Sequence, residues 1–310
     1  MKRMTGFLLA ALLLFTACGA GVKTPSAAQP QGRSVTFQDD TGNTVTVQTF
    51  QTVAALSGSF ADLWMLAGGT VQCTTQDAFE ERDLGLPENV VNAGSLKEPS
   101  AEILLEAGVD FVLLSAAVPG QLALRETLEN AGVTTACFTV ETFEDYMRML
   151  KICTDITGRS DCYEENGIAV QRQVEDVKRA SSGKQAPDVL LIRAYSTGAK
   201  VKNSDNMTGA MLADLGCNNI ADSDASLLED LSMEKIIAAD PDFIFVTTMG
   251  SDDEALAALA ENLQSNPAWA QLTAVKEGRY VVLPKNLFHY KPNARWGESY
   301  AMLADILYGA

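Results

Sequence analysis

Histidine is almost missing from this chain: among 310 residues there is one, His289. Capture of a bare zinc or manganese ion draws on several imidazole or carboxylate ligands converging on the ion. The count argues against such a site, and no directly bound metal is expected. It also leaves a single candidate base for a Cys–His or Ser–His hydrolase, which needs nucleophile, base and orienting group together. There is no Gly-x-Ser-x-Gly elbow and no Gly-rich phosphate loop of the P-loop or dinucleotide type. Ser57-Gly58-Ser59 reads only as a turn. An enzyme is not expected, so no catalytic residue is assigned. Positive charge is scarce as well, with 23 Lys and Arg against 40 Asp and Glu and a net charge of −17. That field repels nucleic acid and anionic headgroups. The cysteines, six in number and scattered, form neither a disulfide framework nor a zinc pattern.

At the start, Met1-Lys2-Arg3-Met4-Thr5-Gly6 precedes an apolar run from Phe7 to Phe15, then Thr16-Ala17-Cys18. A basic start, a short apolar core and small residues before a break are the parts of a secretory signal. The run is too short for a bilayer span, which takes about 20 residues. Thr16-Ala17-Cys18 resembles the lipobox of bacterial lipoproteins, with Phe15 where Leu is usual. The resemblance implies a signal peptide over 1–17 and a lipid-bearing Cys18, acylated by palmitate-type chains, on the extracytoplasmic face of the cell membrane. An ordinary secretory signal with a chance cysteine is the competing reading. Residues 18–33, rich in small, Gln and Pro residues, have little to bury and read as a flexible tether. The remaining cysteines, Cys73, Cys137, Cys153, Cys162 and Cys217, read mostly as reduced core residues.

The body, 34–310, suits two lobes of ordinary size, and a repeat supports this. Ser100-Ala101-Glu102 runs on to Asp110-Phe111, and Ser232-Met233-Glu234 runs on to Asp242-Phe243, all four shared residues offset by 132 positions. So long a period, with one copy per half, points to two similar lobes with a cleft between them. Ser100 and Ser232 are candidate N-caps, which places each Glu near the positive end of a helix dipole. Strands and helices alternate in both halves, predicting mostly parallel sheets wrapped by helices. Val35–Phe37 and Val45–Val47 flank an Asp/Gly/Asn turn and read as a hairpin. Between the repeat copies, Tyr163–Arg179 is polar on most sides, as expected of a helix bridging two bodies. The expected organisation is a first lobe over 34–158, a connecting helix over 159–182 and a second lobe over 183–310. The fold class is therefore α/β, two Rossmann-like lobes joined by one long helix.

These features together resemble the substrate-binding lipoproteins of ABC importers, specifically the group serving iron-siderophores, haem and cobalamin. The segments that carry the resemblance are Val35–Gly42, Leu56–Ser59, Asp240–Ile244 and Lys276–Tyr280. It implies a monomeric binding protein, without a cofactor of its own, that delivers a chelated metal to a permease. The implied cargo is a ferric siderophore above all, with haem or a corrinoid as alternatives. It further implies that Glu102 and Glu234 dock onto arginines of the transmembrane subunits. Contact with the membrane itself would be through the lipid alone. A surface lipoprotein with a structural or adhesive role is the competing class, followed by a hydrolase.

In α/β lobes ligands bind beyond the carboxyl ends of strands. That rule selects Ser59 and Phe60, Arg193 and Tyr195, Met249, and His289 with Tyr290 as ligand-binding candidates. Arg193 ends an apolar strand, and its fork suits a carboxylate or catecholate. Tyr195 and Tyr290 offer aromatic walls with polar tips. His289 with Tyr290 could ligate haem iron, although a lone His is more often simply packed.

Overall fold

The structure, a computed structural model, describes residues 34–48, 51–82, 84–229 and 231–309. They belong to the compact unit Arg33–Ala310. The leader, the tether and Cys18 lie outside the described residues.

The chain opens with an antiparallel hairpin, β1 (Ser34–Gln38) and β2 (Thr44–Gln48). The buried Asp39 carboxylate closes its turn by accepting from the Thr41 and Asn43 amides (3.0 and 2.9 Å). It also accepts from the Cys137 amide (3.1 Å), which fixes the hairpin to the first sheet. That sheet is wholly parallel. Its strands are β3 (Val53–Ala55), β4 (Cys73–Thr74), β5 (Val91–Asn92), β6 (Phe111–Ser115) and β7 (Thr134–Phe138). Their order across the sheet is β5-β4-β3-β6-β7.

The second sheet repeats the plan with β8 (Asp188–Tyr195), β9 (Gly198–Lys202), β10 (Asn218–Asn219), β11 (Phe243–Thr248) and β12 (Tyr280–Val282). Its parallel order is β10-β8-β11-β12, and β9 folds back antiparallel onto the second half of β8. The alternating sequence therefore does give two α/β lobes, each built on a mostly parallel sheet. The strands missed by sequence reading, β4, β9 and β10, are short or polar and carry no apolar run.

Period-two alternation assigns the two faces of each sheet. In β11, Phe243 and Phe245 point into one cluster while Ile244 and Val246 point into another. In β6, Phe111 and Leu113 separate likewise from Val112 and Leu114. Phe111, Phe138, Leu191 and Phe245 all belong to one continuous core shared by both lobes. Three helical stretches complete that core. The first is Phe143–Thr157, which has a capping box between Thr142 and Asp145 and a left-handed Gly158 at its end. The second runs through Ser160–Tyr163, a π-turn at Glu164–Ile168 and Ala169–Ser181. The third is the closing helix Trp296–Tyr308. Trp296 packs on Phe143 and Tyr146 at ring separations of 5.8 and 6.5 Å. All five cysteines of the described residues are free and buried.

The repeat is structural in detail. Ser100 Oγ accepts from the Ile103 amide at 3.3 Å, and Ser232 Oγ from the Lys235 amide at 3.5 Å. Gly108 (φ +65°) and Asp240 (φ +40°), again 132 apart, both turn the chain through the left-handed region. Asp110 then clasps Thr52 with a bond in each direction, amide to carboxylate at 3.1 Å and amide to carbonyl at 2.8 Å. Asp242 clasps Asp188 in the same way at 2.9 and 2.8 Å. The clasps hold the repeat to the first strand of each lobe, β3 and β8. Phe111 and Phe243 then enter the shared core.

Candidate ligand cleft

A cavity of about 790 Å³ opens at the carboxyl ends of both sheets. This is the size range of small-molecule sites, a few hundred to about 1,000 Å³. All seven sequence-selected residues line it: Ser59, Phe60, Arg193, Tyr195, Met249, His289 and Tyr290. Phe60 also belongs to the core, as does Trp64, which does not line the cavity and packs edge-on against Phe111.

Each wall is built by local sequence. Ser57 caps the helix Gly58–Leu66 by accepting from the Phe60 amide, which turns Ser59 and Phe60 toward the cavity. Arg193 lies near the end of β8, opposite Thr247 of β11 and Lys200 of β9. His289 and Tyr290 do not follow β12 directly, because the short helix Lys285–Phe288 intervenes. Their rings lie 5.2 Å apart.

Charge in the cleft is polarised. On the second-lobe side Arg193 has no ion pair among the described residues, and its buried Nε has no hydrogen-bond partner. Burial lowers the pKa of its guanidinium, with Glu141 opposing. Lys291, partly buried on the same side, is likewise lowered by desolvation but pairs with Glu141 at 2.9 Å. His289 is driven down to about 4, first by burial and then by Arg193, Lys285 and Lys291. It is therefore neutral at neutral pH, and its buried Nδ1 lacks a partner. Burial and the neighbouring Glu81 raise the Tyr290 phenol. The first-lobe side carries Asp77, Glu80 and Glu81 together with Lys97.

The sequence reading missed the seam beneath this cavity. Arg82, just after the short helix Asp77–Glu80, donates to Asp62 (3.1 Å), Ser59 Oγ (2.9 Å) and the Lys291 carbonyl (2.7 Å). Its guanidinium also stacks over the Tyr290 ring at 5.6 Å. From the other lobe, Asn293 donates to the Ser59 carbonyl and to Asp62, both at 2.8 Å. No periodicity or strand-end rule marks Arg82 or Asp62: they pair with each other 20 positions apart, and their partners across the seam, Lys291 and Asn293, lie more than 200 residues away. A second, polar recess of about 400 Å³ between the hairpin and Arg125 is crossed by the chain's own Arg125–Asp39 and Arg125–Glu129 ion pairs.

Glu102 and Glu234 lie outside the cavity, exposed, one near the start of each repeat helix. Among the described residues neither makes a hydrogen bond or an ion pair. Ser caps, Asp clasps and Phe packs, so Glu is the one repeated residue with no partner among the described residues.

The chain is similar to known proteins along most of its length. It is 23% identical over 297 residues to the iron-uptake system-binding protein of Bacillus subtilis, covering 91% of each chain. Its fold matches S. aureus IsdE complexed with heme at TM-score 0.70 and 13% identity, covering 84% of this chain and 99% of that one. It matches the petrobactin-binding protein YclQ of Bacillus subtilis at TM-score 0.70 and 18% identity, covering 89% and 97%. The model of the periplasmic binding protein family matches residues 53–287, and the chain belongs to that family.

Proposed function

We propose that this protein captures an anionic iron chelate outside the cytoplasm and hands it to an ABC permease. As a family member it is a binding protein rather than an enzyme. One observation carries the ligand reading: Arg193 lines a cavity between two lobes, makes no ion pair among the described residues, and has a buried Nε with no hydrogen-bond partner. A partly buried charge without a partner is costly, and an anionic ligand oxygen at the guanidinium would relieve that cost. Ferric siderophores with carboxylate or catecholate arms fit this requirement, and relatives named for iron uptake and petrobactin support it. Haem is the second reading. It is favoured by the neutral His289 beside Tyr290 and by the haem-complexed relative. Cys18 would anchor the protein to the membrane by lipid, and Glu102 and Glu234 would meet arginines of the permease. The lobe and connector limits expected from sequence, 34–158, 159–182 and 183–310, belong to the same reading.

The experiment is a titration of purified protein with haemin and with a panel of ferric siderophores, followed by tryptophan fluorescence and visible absorption. One class is expected to quench and to give a Soret or a charge-transfer band. Arg193→Gln should weaken that ligand by tenfold or more, since a charged hydrogen bond contributes about 1.5–3 kcal/mol. No response to any of them, or an unchanged affinity in the variant, sinks the ligand assignment.

A further inference from the structure

Six large apolar side chains of the described residues stand well out into solvent, each at least a third exposed. Such residues scattered singly need no explanation. Two of them are not scattered. Leu105 and Ile237 are both 41% exposed and are separated by the repeat offset of 132. Each lies three positions after its repeat glutamate, on one helix face with it. Burial runs in parallel through both copies: Glu102 and Glu234 exposed, Leu104 and Ile236 fully buried, Leu105 and Ile237 exposed again.

Both helices occupy the same topological place, before β6 and before β11, the strands flanking the first strand of each sheet. Each ends at an Asp clasp on the amino edge of its sheet. Each therefore starts toward the carboxyl edge, where the cleft opens. Helix-dipole stabilisation explains a Glu in a first turn. It does not explain an exposed aliphatic neighbour, and no packing requirement inside the fold does either.

We propose that Glu102 with Leu105, and Glu234 with Ile237, form two equivalent composite contacts for a twofold or quasi-twofold membrane permease. Each half of that partner offers a cationic side chain beside an apolar socket. This rests on the docking reading above and extends it: the carboxylates set charge complementarity, and the aliphatics supply the buried anchors. Charged groups at an interface mainly steer encounter and register, while well-packed anchors hold the complex. The occupant is the permease because the two exposed carboxylates, without ion pairs among the described residues, complement cationic side chains, which the same two acids on a second copy do not offer.

The test uses the full-length chain in its native host, with the chromosomal copy deleted and variants restored in its place. Cell iron is measured in iron-limited medium. Leu105→Ser plus Ile237→Ser should cut accumulation about tenfold, the order expected for losing interface anchors. Melting temperature and ligand titration of the purified variant should be unchanged, because both positions are exposed. The single variants should fall by similar factors. In parallel, p-benzoylphenylalanine at 105 and at 237 should crosslink to a transmembrane subunit of an ABC importer identified by mass spectrometry, and the same probe at 122 should not. Full accumulation in the Leu105/Ile237 double variant, alongside loss in Glu102→Ala plus Glu234→Ala, overturns the composite contact but spares the docking reading. Full accumulation in both double variants overturns both. Crosslinks to a second copy of this chain assign the face to self-association and also overturn the proposal.

Discussion

His289 is surrounded by cations. Arg193, Lys285 and Lys291 face it, and Asp252 is the opposing acid. Burial and these charges keep its imidazole neutral down to about pH 4, against an ordinary value of 6.5. Between these values the unfolded chain binds a proton at this position and the folded chain does not. Stability is therefore complete above about 6.5 and is lost as pH falls through the window toward 4. His289→Gln removes the titration. Its melting temperature should fall less than that of the wild type between pH 7 and 4.5, with a gap of a few degrees at about 2–4 °C per kcal/mol. Parallel curves in a thermal melt series would mean that the imidazole is as easily protonated in the fold as out of it. The same neutrality leaves a free lone pair on the ring, which a ferric centre can use and a protonated imidazole cannot offer.

At the scale of elements, the segment after Phe288 is the part that joins the lobes across the cleft floor. Asn293 is fully buried and held at φ +51°, in the left-handed region that Asn tolerates better than most residues. Its amide binds both Ser59 and Asp62. Asn293→Ala loses two bonds and adds backbone strain, so it should cost about 2–4 kcal/mol. Asn293→Gly keeps the conformation and should cost less. Urea unfolding of the two variants separates these contributions, and equal losses would remove the conformational part. This seam also marks where sequence reading stops. Strand-end windows were legible because parallel sheets open their clefts at the carboxyl edge, and that rule selected Arg193 and Met249, which line the cavity. The repeat was legible because its Ser caps and Asp clasps impose the same local geometry twice. Arg82, Asp62 and Asn293 had no such signature. Their geometry is set jointly by Arg82–Asp62 pairing within the first lobe and by Lys291 and Asn293 from the other, and only the folded chain brings these together.

At the scale of the whole molecule, the two lobes are not independent. Separate domains with a polar seam move and melt separately. Here one apolar cluster includes Phe111 and Phe138 of the first sheet, Leu191 and Phe245 of the second, and Tyr146, Val174, Trp296 and Leu303 from the helices between and behind them. Trp296, from the end of the chain, lies against Phe143 and Tyr146 from its middle. Detaching one lobe would expose these aromatic faces, each carrying 150–250 Å² of burial. At about 25 cal/mol per Å², exposing three of them alone costs on the order of 10 kcal/mol. That is comparable to the whole stability of an ordinary domain, 5–15 kcal/mol, so neither lobe should unfold while the other stays native. Calorimetry is therefore expected to show a single transition whose van't Hoff and calorimetric enthalpies agree. Trp296→Ala should lower that transition as a whole by about 3–5 kcal/mol, without splitting it. Two resolved transitions in the wild type would show that the lobes fold apart. They would also fit a wide closing motion, which a shared core of this kind opposes.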